Sequence, residues 1–181
     1  GQDISAVIQD WWDGNSATFT GDVVQERLER ALGTDGNLFL ACFTNPLTGQ
    51  VKIRTIPFGQ IMDRVSNPQD AVETWYYRRE FILNREIQIV YYPDISHRPA
   101  TKPDSIDGHE IKWDAPVMHV KVNDLEGWEY GIGDAYAAIT WARSYRDFLA
   151  DWAVLMKSLS QFAWRHTTEG KRVDRTAQAL T

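Results

Sequence analysis

Apolar and polar positions change period several times along this 181-residue chain, and each change predicts an element. The longest periodic stretch is residues 134–166, DAYAAITWARSYRDFLADWAVLMKSLSQFAWRH, which contains neither Pro nor Gly. Its apolar side chains recur three or four apart, at Ile139, Ala142, Tyr145, Phe148 and Leu149, Trp152, Leu155 and Met156, Leu159 and Phe162. That spacing is the signature of an amphipathic helix. At about 1.5 Å per residue such a helix runs to about 50 Å, more than the width of a compact domain of this size. It is expected either to cross a whole domain or to project toward another body. A long helix closing a β-rich domain points to assembly more than to catalysis.

Upstream the periods are shorter. The opening GQDISAVIQDWWDGN predicts a short helix or turn carrying Trp11 and Trp12. Residues 23–32, VVQERLERAL, predict a second helix, with Thr20 or Asp22 as its cap, Glu26 in its first turn and Gly33 as its end. Residues 37–43, NLFLACF, are apolar on both faces and predict a central strand. Asn45-Pro46-Leu47-Thr48-Gly49 is turn chemistry, and residues 50–56, QVKIRTI, alternate as a half-buried strand that Pro57 ends. A short segment, FGQIMDRV, follows. Further strands are predicted at 73–81, 86–92 and 116–122, with Asn84-Arg85 as the link between the first two. The loop from Pro93 to Asp114 is long enough to be functional or mobile. The expected class is α+β: a mostly antiparallel sheet of about five strands, flanking helices and one long C-terminal amphipathic helix. The expected organisation is an α+β region over 1–133, the long helix over 134–166 and a polar tail over 167–181.

Composition sharpens this picture in three places. Eight Trp in so short a chain suggest a well-packed core, an interface, or both. The net charge of −6 argues against free-standing nucleic-acid binding, although not against a protein that DNA merely passes through. The single Cys42 excludes an intramolecular disulfide and reads as a small buried hydrophobe. No signal-like segment and no run of eighteen apolar residues is present, so a soluble protein is expected. The chain starts with Gly and ends on a polar stretch, which suggests a piece of a longer protein.

Candidate chemistry is sparse. His97, His109, His119 and His166 share no metal-ligand spacing. His97 and His109 lie in the long loop with Asp94, Asp104 and Asp107, and are expected to be solvated polar residues. His119 is expected to be a satisfied sheet residue. The glycines of EGWEYGIGD precede a helix but fit neither GxxxxGK[ST] nor GxGxxG. No GxSxG is present, and Ser144, Ser158 and Ser160 fall mid-helix. Asp147 and Asp151 lack the companions a helix-borne metal site needs, and Arg143 with Asp147 is expected to form an ordinary surface ion pair. No catalytic residue, cofactor or metal is expected. The aromatic stripe Trp141, Tyr145, Phe148, Trp152, Phe162 and Trp164 reads as wider than one buried face, with Trp141 and Trp164 lying off the Tyr145–Trp152 face. Two neighbours are therefore expected for this helix. Trp141, Tyr145, Trp152 and Trp164 are the candidate interface or core residues.

The order of these features resembles a tailed-phage portal protein, of siphoviruses and prophages of actinobacterial hosts. The run TDGNLFLACFTNPLTGQVKIRTIPFGQI is similar to the portal region in which an exposed hairpin is followed by a proline, a short segment and further strands. The strongest part is Val117-Met118-His119-Val120-Lys121, then Gly131 and Gly133, then Trp141-Ala142-Arg143-Ser144-Tyr145. It resembles the portal strand that leads through a glycine turn into an amphipathic helix. The likeness spans roughly residues 34–166, and Gly131-Ile132-Gly133-Asp134 stands where the commoner portal pattern has G-x-S-P. It implies a structural subunit of a ring of about twelve copies at one capsid vertex. That ring forms the channel for DNA packaging and ejection, docks terminase and the head-tail connector, and needs neither cofactor nor catalysis. The implied location is the virion, and the host bacterial cytoplasm during assembly, with no membrane partner. Rival readings are another phage capsid or tail adaptor protein, and a metal-dependent hydrolase built on His97, Asp107 and His109.

Overall fold

A computed structural model describes residues 4–21 and 23–162. The chain divides into two units, Gly1–Tyr136 and Ala137–Thr181. The first unit begins with helices α1 (Ile4–Gly14), α2 (Ser16–Phe19) and α3 (Val24–Asp35). Strands β1 (Asn37–Thr44) and β2 (Val51–Ile56) follow, then a 3-10 turn (Phe58–Gln60) and β3 (Ile61–Asn67), β4 (Asp70–Leu83) and β5 (Glu86–Pro93). Two short strands, β6 (Ser105–Ile106) and β7 (His109–Glu110), interrupt the long loop before β8 (Val117–Lys121). Helix α4 (Tyr136–Phe162) carries the chain into the second unit. The class is α+β with antiparallel sheets and one long C-terminal helix. The strands do not form a single sheet of about five. They form two three-stranded sheets, β2-β1-β8 and β3-β4-β5, and the small hairpin β6-β7.

The apolar run 37–43 becomes the central strand of its sheet, as its two-sided pattern requires. Phe39 lies opposite Ile56 on one side and His119 on the other, and Ala41 lies opposite Arg54 and Val117. Side chains directly opposite share a face. Phe39, Ala41, Ile56 and Val117 therefore point together, and they pack with Ile61, Tyr77, Tyr92 and Ala115 as the main buried cluster between the two sheets. Phe39 stacks on His119 at 4.2 Å and meets Tyr77 edge-on at 5.3 Å. A second cluster, Tyr76, Tyr91 and Ile111 with Val65, Ile89, Ile106 and Trp113 around them, forms where the loop crosses the second sheet. Burying each such side chain contributes roughly 1.5–3 kcal/mol.

Several boundaries differ from the sequence expectation, each for a physical reason. Helix α3 passes through Gly33 and ends at Gly36, whose φ of 73° gives the left-handed cap and whose N–H reaches Leu32 O at 3.0 Å. Its N-cap is Val23 with no side-chain cap bond; Thr20 bonds back to Ser16 O, and Asp22 lies outside the described residues. Strand β3 has no clean alternation because its ladder with β4 shifts register three times, between Ile61 and Asp63, Val65 and Ser66, and Ser66 and Asn67. Asn84 and Arg85 form a two-residue turn with φ of 53° and 69°, the left-handed pair that matches the twist of a hairpin.

The outer edge of β2 is closed by side chains. Asn15 is buried, donates to Val51 O (3.0 Å) and accepts from Ile53 N (2.6 Å), while Thr18 Oγ1 donates to Ile53 O (2.6 Å). These bonds occupy the backbone groups that an unpaired edge would offer to another strand. Among the described residues no helix is long and apolar enough to cross a membrane.

Candidate functional site

The residues that carry the family resemblance fall on a strand, a glycine turn and a helix start. At their centre is Asn37, the first residue of β1, which is only 2% exposed. Its Nδ2 donates to Asp35 O (2.7 Å) and Gly131 O (2.9 Å), and its Oδ1 accepts from Gly131 N (2.8 Å). The same Oδ1 lies 3.0 Å from His119 Nε2, so the neutral ring with its proton on Nε2 completes the set. One amide thus ties the end of α3, the start of β1, the strand β8 and the glycine turn together.

The glycines serve this junction through lack of side chain. A Cβ on Gly133 would sit 2.1 Å from Thr34 O, and one on Gly131 would sit 2.4 Å from Gly36 O and 2.5 Å from Val122 O. Backbone bonds run through the gap: Val122 N to Gly36 O (3.0 Å), Ile132 N to Val122 O (3.0 Å) and Ala135 N to Gly33 O (3.1 Å). The pattern G-I-G-D is therefore a site of close backbone approach. Asn123 Nδ2 closes the turn on Ile132 O (2.9 Å) and Asp134 Oδ1 (2.7 Å).

His119 is half-buried between Phe39, Tyr77 and Tyr130. Loss of water around the ring, helped by the charge of Lys121, pushes its pKa down to about 4. Across the interior, Tyr77 donates to Asp94 Oδ2 (2.8 Å), and burial together with that carboxylate pushes the phenol pKa up. Asp94 Oδ1 also accepts from Ser96 N (2.8 Å). Cys42 is half-buried, and burial pushes its thiol pKa up, away from thiolate reactivity.

Helix α4 carries the candidate aromatics Trp141, Tyr145 and Trp152; Trp164 lies outside the described residues, as do 163–166 of the expected helix. The helix is unbroken over 27 residues, about 40 Å at 1.5 Å per residue. The angular spacing along it corrects the expected placement of Trp141. At about 100° per residue Trp141, Tyr145, Phe148 and Trp152 fall within about 60° of one another, on one face. Phe148 and Trp152 stack there at 6.1 Å. Asp147 pairs with its neighbour Arg146 (2.8 Å), not with Arg143 as expected. Ser144, Ser158 and Ser160 bond back to carbonyls of their own helix.

In the long loop, His97 Nε2 lies 3.2 Å from Tyr76 Oη, and its ring packs on Trp75, Tyr76 and Trp113. Burial lowers its pKa. The ring lines a cleft of about 380 Å³ with Pro93, Asp94, Pro99, Lys102 and Trp113. His109 instead opens β7, opposite Ile106, and Asp107 takes a left-handed φ of 50° in the tight β6-β7 turn. Among the described residues no three His, Cys, Asp or Glu side chains stand together as a metal site.

No protein family model and no curated protein matches this chain. Sequence reasoning missed Asn37, Asn15 and the register of α4. Asn37 had one visible signal, a lone amide opening an otherwise apolar strand directly after a glycine.

Proposed function

We propose that this chain belongs to a portal protein of tailed bacteriophages or prophages. In this reading it is a structural subunit and not an enzyme. About twelve copies of the parent protein form a ring at one capsid vertex. The ring surrounds the channel for DNA packaging and ejection, and it docks terminase first and the head-tail connector afterwards. The observation that carries the reading is the ordered series of Val117–Lys121, Gly131, Gly133 and Trp141–Tyr145. It forms a strand, a backbone-tight glycine turn and a long helix. Asn37 and the two glycines tie the strand and the turn to the end of α3.

The charge fits a channel component. A net charge of −6 disfavours tight phosphate contacts, each of which would add salt-sensitive affinity and slow translocation. A head or tail adaptor with the same sheet-plus-helix plan is the second reading. The hydrolase reading has less to stand on, since His97 is taken up by Tyr76 and Trp113 while His109 and Asp107 belong to the β6-β7 hairpin.

Antibody-gold labelling of virions that carry the parent protein tests the proposal. Label at the single vertex where the tail joins, retained on tailless heads, is expected. Label that leaves with the detached tail would favour a tail adaptor, label spread over the whole capsid would favour a capsid protein, and label on neither would remove all of these.

A further inference from the structure

Arg64 on β3 is a cation without a counter-charge. Its Nη2 donates to Ala71 O (3.2 Å), its Nε is buried with no acceptor, and no carboxylate among the described residues pairs with the guanidinium. That state is costly, because the charge has lost water without gaining a partner. The side chain lines a cleft of about 320 Å³ whose other wall is the segment 124–129. Glu126 and Glu129 stand on that wall with Leu125 and Trp128, and among the described residues neither carboxylate is in an ion pair. Cation and carboxylates share one cleft without meeting.

The segment is fixed at both ends and free between them. Lys121 pairs with Asp124 (2.8 Å) at its start, and Tyr130 packs on Phe58 (5.4 Å) and His119 (6.2 Å) at its end. Gly127, with a φ of 82° and open space where a Cβ would be, sits in the middle. Trp128 is 55% exposed and Leu125 49%, an apolar area beside the cleft that closure buries. Burial raises the Tyr130 phenol pKa; the Glu129 charge raises it further and that of Arg64 lowers it, so both charges act on one ring.

We propose that residues 124–129 are a strap that closes on β3, setting the Glu129 carboxylate on the Arg64 guanidinium and Trp128 into the cleft. The guanidinium fork then gains the planar acceptor it matches, through charge-assisted hydrogen bonds. Glu129 is the partner in place of Glu126 because it adjoins Tyr130, the anchored end on which the Arg64 charge also acts. Closed, the strap masks a cation and an indole together; open, it offers both on one surface. Its anchored end leads into Gly131, so the strap moves beside the junction that Asn37 holds. Nothing in this depends on the portal reading.

Fluorine NMR of the full 181-residue chain labelled with fluorotryptophan tests it. The Trp128 line is assigned with Trp128→Phe, and its exposure is read from the solvent isotope shift. At low salt the wild-type line is expected to be more shielded from solvent than the same line in Glu129→Gln. Glu129→Gln and Arg64→Gln are each expected to lower the closed-to-open ratio at least about tenfold, the loss of one charge-assisted hydrogen bond. The double variant is expected to lose no more than either single one. Molar salt is expected to act in the same direction, and Glu126→Gln to leave the line where it is. Circular dichroism checks the fold of every variant, and the exposed Glu129 decides alone where Arg64→Gln fails to fold. A Trp128 line equally exposed in wild type and in Glu129→Gln would overturn the inference, as would a line that Glu126→Gln moves as far as Glu129→Gln does.

Discussion

Replacing Asn37 by Ala removes a side chain that joins four elements. The change deletes both bonds to Gly131, the bond to Asp35 O and the contact with His119 Nε2. The Gly131 N–H and C=O are left in a site where Asn37 itself was 2% exposed. An unsatisfied buried backbone group costs about 1–3 kcal/mol, so two of them with partial rescue by water give about 3 kcal/mol. For a domain of this size that is a fall of roughly 6–12 °C in Tm. Asn37→Asp is expected to lose at least as much at neutral pH, because a carboxylate cannot donate and would face the carbonyls of Asp35 and Gly131. Asn67→Ala is the control. That residue bonds only Glu73 and Gln69 on the surface, and about 0.5 kcal/mol is expected. Urea unfolding followed by tryptophan fluorescence reads all three. A loss below about 1 kcal/mol for Asn37→Ala, or one equal to the control, would refute the claim that this amide holds the junction.

Three further changes test neighbouring parts of the account. Gly133→Ala places a methyl 2.1 Å from Thr34 O, and a loss of more than about 3 kcal/mol by the same unfolding assay is expected, where a neutral change would be inconsistent. The folded state lowers the His119 pKa to about 4, so the unfolded chain binds more protons between that value and its ordinary pKa of about 6.5. Stability is therefore full above pH ~6.5 and falls as pH drops toward ~4, by about 2 kcal/mol after allowing for the water that still reaches the ring. His119→Gln should flatten most of that slope, leaving the part due to His97, and an unchanged slope would contradict it. Arg85→Gly relieves a left-handed side-chain residue in the β4-β5 turn, and a gain of about 0.5–1 kcal/mol is expected, against which a loss would count.

Much of the fold was legible because its signals are local. The two-sided apolar run at β1 announces a central strand, and the Pro- and Gly-free run of α4 announces a long helix. Strand β3 was hidden because three register shifts break the alternation that reveals a strand. The end of α3 was misplaced because Gly33 and Gly36 look alike in sequence. Only the approach of Gly131 and Gly133 to the backbone around Gly36 decides which glycine turns left-handed. Asn37 was missed for the same reason, since its partner Gly131 is 94 residues away. The face of Trp141 was legible all along, because 100° per residue along that unbroken run already sets it beside Tyr145 and Trp152.

The mass of the full-length parent protein in solution decides between a portal ring and the other readings. Light scattering combined with negative-stain imaging is expected to show closed rings of about a dozen subunits around a central hole. A stable monomer or dimer, without rings at any salt or protein concentration, would contradict it.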